Sequence, residues 1–327
     1  MSHAPRDDWR PTATQAALQK RARILADLRA FFHARGVMEV EVPMLSAAAA
    51  PDVHLRSLST WVHRPGVGAQ RRWLPTSPEY PLKRLLCAGY GDVYALGKVF
   101  RDGDESRRHQ PEFTLLEWYR LGFDLQAMMD ETAALLQAIL GPQPVLRLRY
   151  DELFARFAGI ESAYTAEAGV FRRALTAAGK EIAGVDPEDT LLWRQLVLTE
   201  IIEPQLAAHG VVFVWGWPRE EAALAALSPE GYALRFEVYV AGMELANGYE
   251  ELREAAAYAQ RFAQWNRTRR RLGRPEMPVD ARLLEALQAN GGLPACSGVA
   301  LGVDRLVMAA LGVEDIEAVV AFPVARA

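Results

Sequence analysis

The sequence is poor in cysteine, with only Cys87 and Cys296 among 327 residues. Two cysteines in apolar surroundings are more often free buried thiols than a disulfide, and such usage is typical of a reducing compartment. The chain also lacks any run of 18 apolar residues, which argues against a membrane-spanning helix. Its polar N-terminal stretch holds no apolar core for a signal peptide. We therefore expect a cytoplasmic protein that does not contact a membrane.

Three common signatures of ligand binding are missing as well. The sequence contains no GxxxxGK[ST] phosphate-binding loop and no GxGxxG that follows a strand. No group of histidines and cysteines has the spacing of a zinc site. The net charge of −4 means that no overall basic field attracts nucleic acid, although a local basic patch is compatible with it. These absences argue against P-loop, Rossmann and zinc-finger proteins.

The N-terminal part of the chain predicts a long helix followed by a strand. Apolar residues recur at helical spacing from Gln15 to Arg35, and Gly36 is a typical residue after a helix end. The next stretch, VMEVEVPML, alternates apolar and acidic residues, which predicts a strand with one wet face that ends at Pro43. Prolines at 75, 78 and 81 predict a loop, after which a short helix begins.

Two further strands are predicted over Val93–Arg101 and Glu112–Arg120, joined by a loop too long for a tight turn. The segment from about 125 to 230 is predicted to be mostly helical and carries no motif, apart from a short buried strand at Val211–Trp217. Alternation at 236–240 predicts another strand, and Arg253–Leu272 predicts an arginine-rich helix. Near the C-terminus, a strand of small residues runs into an apolar helix.

Residues 100–119, FRDGDESRRHQPEFTLLEWY, place a charged loop between two apolar runs. Four basic side chains stand beside four acids in this loop: Arg101, Arg107, Arg108 and His109, with Asp102, Asp104, Glu105 and Glu112. One interpretation is a solvated loop whose charges pair with one another. Anion binding is favoured because Arg101 ends a strand, where a guanidinium is held rigidly enough to bind phosphate bidentately. Phe113 adds a flat ring and Arg305 a second fixed cation, so we predict a site for a nucleoside triphosphate with magnesium.

Glu244 and Glu251, in ELANGYEE, are candidate ligands for Mg²⁺, which prefers carboxylates together with substrate phosphates. Residues seven apart in a straight strand point to opposite faces. The two acids could share a metal only if Ala241-Gly242 forms the hairpin turn and the chain bends after Asn247. The alternative interpretation is two ordinary surface acids.

Three segments resemble the motifs of class II aminoacyl-tRNA synthetases. The first helix, strand and Pro43 resemble motif 1, residues 100–119 resemble motif 2, and GVALGVDRLVM resembles motif 3. Together with TSPEY and ELANG, they are similar to the catalytic domain of lysyl-tRNA synthetases from about Lys20 to the C-terminus. The resemblance implies an α+β fold in which a mainly antiparallel sheet of six or seven strands is flanked by helices. It also implies a tail over residues 1–15, one catalytic domain over residues 16–327, and a homodimer with motif 1 at its interface.

Two departures narrow the resemblance. A lysyl-tRNA synthetase carries an anticodon-binding domain before motif 1, whereas motif 1 begins here near residue 20. Ala300 stands where the synthetases have a glycine, and its methyl group would favour an amino acid of different shape. Both features resemble the truncated paralogues of lysyl-tRNA synthetase that attach (R)-β-lysine to a lysine of translation elongation factor P. The implied partner is therefore elongation factor P, and no tRNA is expected.

The same resemblance implies roles for individual residues, with Arg101, Glu244 and Arg305 as the catalytic ones. Those implied in binding ATP are Arg101, Asp102, Gly103, Arg108, His109, Gln110, Phe113, Glu244, Leu245, Gly302 and Arg305. Those implied in binding the amino acid are Ser77, Pro78, Glu79, Tyr119, Glu251 and Ala300. Glu244 and Glu251 would organise Mg²⁺. Gly103 and Gln110 replace a usual glutamate and asparagine, and Asp102 or Asp104 would substitute for the missing carboxylate.

The implied reaction has two steps: formation of an acyl-adenylate from ATP, then transfer of the acyl group to the ε-amine of a protein lysine. Two other hypotheses remain open. One is a lysine-adenylating enzyme that acts on free lysine or on tRNA, and the other is a non-catalytic regulatory paralogue. Six arginines also crowd residues 261–274, and they predict either a solvated basic face or a docking surface for an acidic partner: Arg261, Arg267, Arg269, Arg270, Arg271 and Arg274.

Overall fold

A computed structural model describes residues 9–289 and 291–327, and the chain forms two compact units. Unit 1 combines the chain up to Asp124 with the segment from Leu252 onward, and unit 2 is Leu125–Glu251. The expected single domain over 16–327 thus contains two units, and the first boundary falls where the motif-poor segment was predicted to begin. Most of the expected tail lies outside the described residues.

Unit 1 opens with helix α1, Gln15–His33, which confirms the predicted helix. The Thr14 hydroxyl caps it by accepting a hydrogen bond from the Ala17 N–H (3.2 Å). The apolar stripe of α1 is buried within the chain, and its Phe32 ring stacks on Tyr94 and packs against Trp118. The helix therefore covers one face of the strands that carry those two aromatic residues.

Four strands form the ladder of unit 1, in the order β1, β4, β5, β10. They are β1 (Met38–Glu39), β4 (Val93–Phe100), β5 (Glu112–Leu121) and β10 (Cys296–Gly302). The strands β4 and β5 are antiparallel, as predicted, and so are β5 and β10. The predicted strand up to Pro43 is wrong in length, because β1 holds two residues. One more backbone hydrogen bond follows, from Val40 to Tyr94, and Pro43 has no N–H with which to continue.

Unit 1 also contains a hairpin that the sequence did not predict, formed by β2 (Ser59–Arg64) and β3 (Gly68–Trp73). Its helices, besides α1, are α2 (Glu79–Cys87), α8 (Ala255–Arg271), α9 (Ala281–Gln288) and α10 (Val303–Leu311). Of these, α2, α8 and α10 correspond to predicted helices, and α9 was missed.

Unit 2 begins with helices and ends with strands. Its helices are α3 (Leu125–Leu140), α4 (Tyr150–Ala158), α5 (Ala168–Ala177), α6 (Thr190–Val197) and α7 (Glu203–Leu206), with a π-helical turn at Leu198–Ile202. Its strands, in spatial order, are β9 (Met243–Glu250), β8 (Ala233–Val240), β7 (Val211–Trp217) and β6 (Val145–Arg149). The predicted strand at Val211–Trp217 is confirmed, whereas β6 was missed.

The α+β fold class is confirmed, because within each unit the strands are antiparallel except for the pairs β1–β4 and β6–β7. The two ladders hold eight strands rather than six or seven. In the described part of the chain, no helix combines the length and the apolar character needed to cross a membrane. Cys87 and Cys296 are free, as expected.

Candidate active site

The pairing of β5 with β10 builds the floor of a candidate site in unit 1. Tyr119 lies opposite Gly298, Glu117 opposite Ala300, and Leu115 opposite Gly302. Because side chains alternate along a strand, these positions share one face. The other face of β5 carries Trp118 beneath α1. Large or polar side chains of β5 are thus flanked by the small residues of β10, which leaves room for a ligand on this face.

Helix α2 adds a charged cluster beside this floor. The Glu79 N–H donates a hydrogen bond to the Ser77 hydroxyl (3.0 Å), with Pro78 at the N-cap position. Lys83, which is fully buried, donates from Nζ to Glu79 Oε1 (2.6 Å) and to the Tyr258 hydroxyl (2.9 Å). The predicted amino-acid ligands Ser77, Pro78 and Glu79 are therefore held together at one helix N-terminus.

Glu117 is the residue of this cluster that the sequence reasoning missed. It is almost completely buried, and the Tyr119 hydroxyl donates a hydrogen bond to its Oε1 (2.8 Å). Burial is the main cause that raises the pKa of Glu117 to about 8, and the negative charge of Glu79 adds to it, while Tyr119, Ser77 and Lys83 oppose the shift. A carboxyl group whose pKa is raised mainly by burial is suited to bind an ammonium group, because the bound cation favours the charged carboxylate.

A signal for Glu117 was present in the sequence. TLLEWY contains one carboxylate within an apolar strand, and period-two alternation places it on the same face as Phe113 and Tyr119, which had both been assigned to the site. A lone acid inside an otherwise apolar strand is seldom buried unless it has a partner.

The charged loop between β4 and β5 brings the predicted phosphate-binding residues together. Arg101 follows β4, its N–H bonds to the Pro111 carbonyl (2.8 Å), and its guanidinium lies 4.9 Å from the centroid of the Phe113 ring. Arg305, in the first turn of α10, contacts the imidazole of His109 and donates to the Arg108 carbonyl (3.4 Å). Cationic and aromatic groups therefore converge on the same loop, which is an arrangement that suits a polyphosphate and a base.

For three predicted ATP ligands of this loop, the structure shows a contact or a backbone conformation that bears on their role. Asp102 forms an ion pair with Arg56 (3.0 Å). Gly103 has φ +84°, a backbone conformation that disfavours the glutamate usual at this position. Gln110 is buried, and its Oε1 accepts a hydrogen bond from the Val324 N–H (3.0 Å), so it anchors the C-terminal turn. A role of these residues in ATP binding remains a prediction.

The hairpin of β8 and β9 settles which turn signal is used. Ala241 and Gly242 form the two-residue turn with φ values of 51° and 69°, and Val240 pairs with Met243 across it. The expected bend after Asn247 is absent, because β9 continues in register with β8 to Tyr249. Instead, Leu245 is the extra residue of a β-bulge, since Val238 pairs with Ala246 and Tyr239 with Glu244.

The bulge changes which side chains of β9 share a face. It puts Glu244 on the same face as Asn247 and Tyr249, and continued alternation extends this face to Glu251. The strand β9 ends at Glu250, and Glu251 forms an isolated bridge with Ala225. The bend is absent, and a shared Mg²⁺ at Glu244 and Glu251 stays a prediction.

The carboxylate that does lie near Glu244 is Glu237, on the neighbouring strand. Glu244 is paired with Tyr239, two residues from Glu237 on the same face, which is a diagonal neighbour across the hairpin. Burial is the main cause that raises the pKa of Glu237 to about 8, and the negative charge of Glu244 adds to it. Arg235 and the Tyr239 hydroxyl oppose the shift. Among residues 9–289 and 291–327, no group of three or more His, Cys, Asp or Glu side chains is arranged to hold a metal.

Only some of the arginines that were predicted to form a basic face on α8 are exposed. Arg269 is almost fully buried, and its Nη1 donates to the carbonyls of Asp52 (2.8 Å) and Leu55 (3.1 Å). Arg274 donates to the Val53 carbonyl. These two arginines therefore hold a loop in place, and Arg269 cannot belong to a docking surface. Arg267, Arg270 and Arg271 are exposed at the helix end, and Arg270 forms an ion pair with Glu276 (2.7 Å).

The fold and these motifs are those of a class II synthetase, and comparison with known proteins agrees. Residues 6–326 match the family described as tRNA synthetases class II (D, K and N), and the chain belongs to this family. Curated relatives named elongation factor P–(R)-β-lysine ligase are similar along nearly the whole length. The protein of Yersinia enterocolitica is 45% identical over 323 residues and that of Proteus mirabilis 44% identical over 327 residues, each with 98% of both chains covered.

Proposed function

We propose that this protein is an ATP-dependent ligase that activates (R)-β-lysine as an acyl-adenylate and transfers it to the ε-amino group of a lysine on elongation factor P. The observation that carries the proposal is the acidic pair formed by the buried Glu117 on the strand floor and the half-buried Glu79 of α2 beside it. Such a cluster selects a cationic side chain or amine. The names of the relatives support the choice of substrate and acceptor.

In the first step, a carboxylate oxygen of the amino acid attacks the α-phosphorus of ATP, and pyrophosphate leaves. Arg101 and Arg305 would neutralise the phosphates, while Phe113 would stack on the adenine ring. Glu79 and Glu117 would bind amino groups of the substrate, with Tyr119 orienting Glu117 through its hydrogen bond. Positioning and charge neutralisation, rather than a protein base, would supply most of the rate acceleration.

In the second step, the neutral ε-amine of the acceptor lysine attacks the acyl carbonyl, an amide forms and AMP leaves. The proton of the acceptor ammonium must be lost before this attack. Magnesium, bound together with the phosphates of ATP, would supply positive charge. Glu244 and Glu251 are the residues that would hold it, through their carboxylates. Glu251 is kept as a ligand of the amino acid.

The proposal includes a homodimer in the cytoplasm and no role for tRNA. Pyrophosphate exchange with (R)-β-lysine or α-lysine, each with and without elongation factor P, tests it together with a transfer assay. Exchange with (R)-β-lysine and labelling of the factor are expected. Labelling of tRNA instead of the factor would replace the proposal by a synthetase-like activity, and no exchange with either amino acid would support a non-catalytic paralogue.

A further inference from the structure

The β2–β3 hairpin and the segment that leads to it are strongly basic in a protein whose net charge is −4. Residues 53–73 contain no aspartate or glutamate, but four arginines and two histidines: Arg56, Arg64, Arg71, Arg72, His54 and His63. The function proposed above uses none of these residues. The hairpin is therefore a positively charged region of a protein whose net charge is negative.

The strand register divides this hairpin into two unequal faces. Trp61 pairs with Arg71, Ser59 with Trp73 and His63 with Ala69, so these residues share the face that we call the outer face. Trp61 is 63% exposed, and exposed tryptophans of this kind mark contact sites on protein surfaces when they stand among polar groups. The opposite face is more covered, because Val62, Gln70 and Arg72 are half-buried.

Arg71 is fixed on the outer face rather than free in solvent. Its guanidinium donates to the Ser59 hydroxyl (3.0 Å) and lies 5.2 Å from the centroid of the Trp73 ring. A cation held between two aromatic positions loses little conformational entropy when it meets a carboxylate, which is the property of an interface arginine.

The base of the hairpin is fastened to unit 1, although a two-stranded hairpin has little stability by itself. Ser46 and Trp73 exchange two backbone hydrogen bonds of 2.9 Å. The buried Arg269 holds the preceding loop through the carbonyls of Asp52 and Leu55. On the other side, the Asp102 N–H donates to the Arg56 carbonyl (2.8 Å), and their side chains form an ion pair (3.0 Å).

These contacts position the hairpin directly beside the charged loop that carries Arg101, Arg108 and His109. The hairpin is thus a basic arm that is anchored at its base next to the candidate nucleotide site. An acceptor protein must bring its lysine to that site, and an arm at this place can bind the surface around the lysine.

We propose that the outer face of the β2–β3 hairpin docks an acidic surface of the protein acceptor, with Trp61 and Arg71 as its central contacts. The proposal rests on the proposed function, since it assumes a protein substrate. Opposite charges favour association and raise its rate, and a tryptophan flanked by arginine is typical of the residues that dominate protein interfaces. A nucleic acid or a second copy of the chain would use the same chemistry, and the experiment distinguishes them.

The test compares two charge reversals of equal size, Arg71→Glu on the hairpin and Arg267→Glu on the exposed end of α8, together with Trp61→Ala. Each variant is assayed for pyrophosphate exchange with (R)-β-lysine and for transfer to elongation factor P. We expect Arg71→Glu and Trp61→Ala to lower kcat/KM for transfer by roughly 10- to 30-fold, the loss of about one hot-spot contact. Exchange should stay at the wild-type rate in all three, and Arg267→Glu should transfer normally.

Salt gives a second readout, because transfer by the wild type should slow with ionic strength and transfer by Arg71→Glu should slow less. The proposal is overturned if both hairpin variants transfer at the wild-type rate, if only RNA binding is lost, or if they alter the mass of the assembly in solution. Failure of exchange in the wild type would instead overturn the proposed function, so the two failures are distinct.

Discussion

At the scale of single residues, specificity rests on what faces Glu117. Ala300 lies directly across from it on β10, and Ala95 lies across from it on β4. The methyl group of Ala300 therefore stands beside the carboxylate that is proposed to bind an amino group. A glycine at position 300 would deepen the floor at that point.

We expect Ala300→Gly to shift substrate choice toward α-lysine. Removing one methyl group from a pocket wall is worth roughly 1–3 kcal/mol in discrimination, or about 10- to 200-fold. The ratio of pyrophosphate exchange with α-lysine to that with (R)-β-lysine measures the effect. Ala233→Gly, which removes the same methyl group from a buried strand position of unit 2, is the matched control. An unchanged ratio would show that Ala300 does not contact the substrate.

The raised pKa of Glu117 predicts a pH dependence of substrate binding. The carboxylate has a pKa of about 8 in the free protein, so at pH 6 to 8 a proton competes with the substrate ammonium. The KM for (R)-β-lysine should fall by up to about tenfold per unit as the pH rises toward 8, since one proton is displaced on binding. Glu117→Gln should bind more weakly and lose this slope. A wild-type KM that is constant from pH 6 to 8 would contradict the assignment.

The same group affects folding stability, with the opposite sign. Between pH 4.5, its ordinary pKa, and about 8, the folded state holds a proton that the unfolded state has lost. The free energy of unfolding therefore decreases as the pH rises through this window, by up to about 1.4 kcal/mol per unit. Glu117→Gln should show a smaller decrease than the wild type in urea unfolding at pH 6 and pH 8.

At the scale of elements, the β8–β9 hairpin shows how one extra residue changes which side chains share a face. Without the bulge at Leu245, the seven-residue spacing would put Glu244 and Glu251 on opposite faces. With it, Glu244 joins the face that carries Arg235 and Glu237. No local pattern in ELANGYEE predicts the bulge, because its position depends on how β9 is paired with β8.

The turn of this hairpin is strained at Ala241, an alanine with φ 51°. A left-handed backbone costs a residue with a Cβ roughly 1–2 kcal/mol, whereas asparagine tolerates it and Asn-Gly is the preferred pair for such a turn. Ala241→Asn should therefore raise the urea midpoint, by about 1 kcal/mol of unfolding free energy, without a change in slope. Ala241→Val should lower it, because a β-branched residue is disfavoured there. A midpoint of the asparagine variant at or below the wild type would refute the argument.

At the scale of the whole molecule, the sequence predicted those elements whose signal is local. The helix α1 and the strands β4, β5 and β7 follow from apolar periodicity and from the residues that end them. The hairpin of β2 and β3 was missed because its strands contain no buried residue and show no apolar alternation. The strand at motif 1 was predicted too long because the alternation of apolar and acidic residues continues to Pro43. The backbone hydrogen bonds to β4 stop near Val40.

The residues of the candidate site likewise fall into those that the sequence predicted and those that it did not. Arg101, Phe113 and Arg305 could be assigned because they belong to recognisable motifs. The proximity of Glu237 and Glu244 within unit 2 could not be predicted, because these residues meet only through the register of two strands. The role of Arg269 was wrong for a related reason: a run of arginines indicates a basic face, but burial of one guanidinium against loop carbonyls depends on tertiary contacts.

The oligomeric state stays a prediction, because the structure contains one chain. The homodimer was expected partly because the apolar stripe of α1 needed a cover, yet Ile24, Leu28 and Phe32 are already buried within the chain. A different surface supports the dimer. The strand β1 is the outermost of its ladder, and Met38 within it and Leu45 after it are 41% and 46% exposed. An edge strand with exposed apolar neighbours is a surface that a second copy can cover.

We therefore expect the wild type to sediment as a dimer at micromolar concentration. The variant that combines Met38→Lys with Leu45→Lys should sediment as a monomer, because each new ammonium group would be buried at a two-fold interface and would face its own copy on the partner. Leu272→Lys is the matched control, since Leu272 is an exposed leucine at the end of α8 (56% exposed), and this variant should remain dimeric. A wild type that sediments as a monomer would remove the dimer from the proposal. If the wild type and the double variant are both dimeric, the interface lies elsewhere than at the β1 edge.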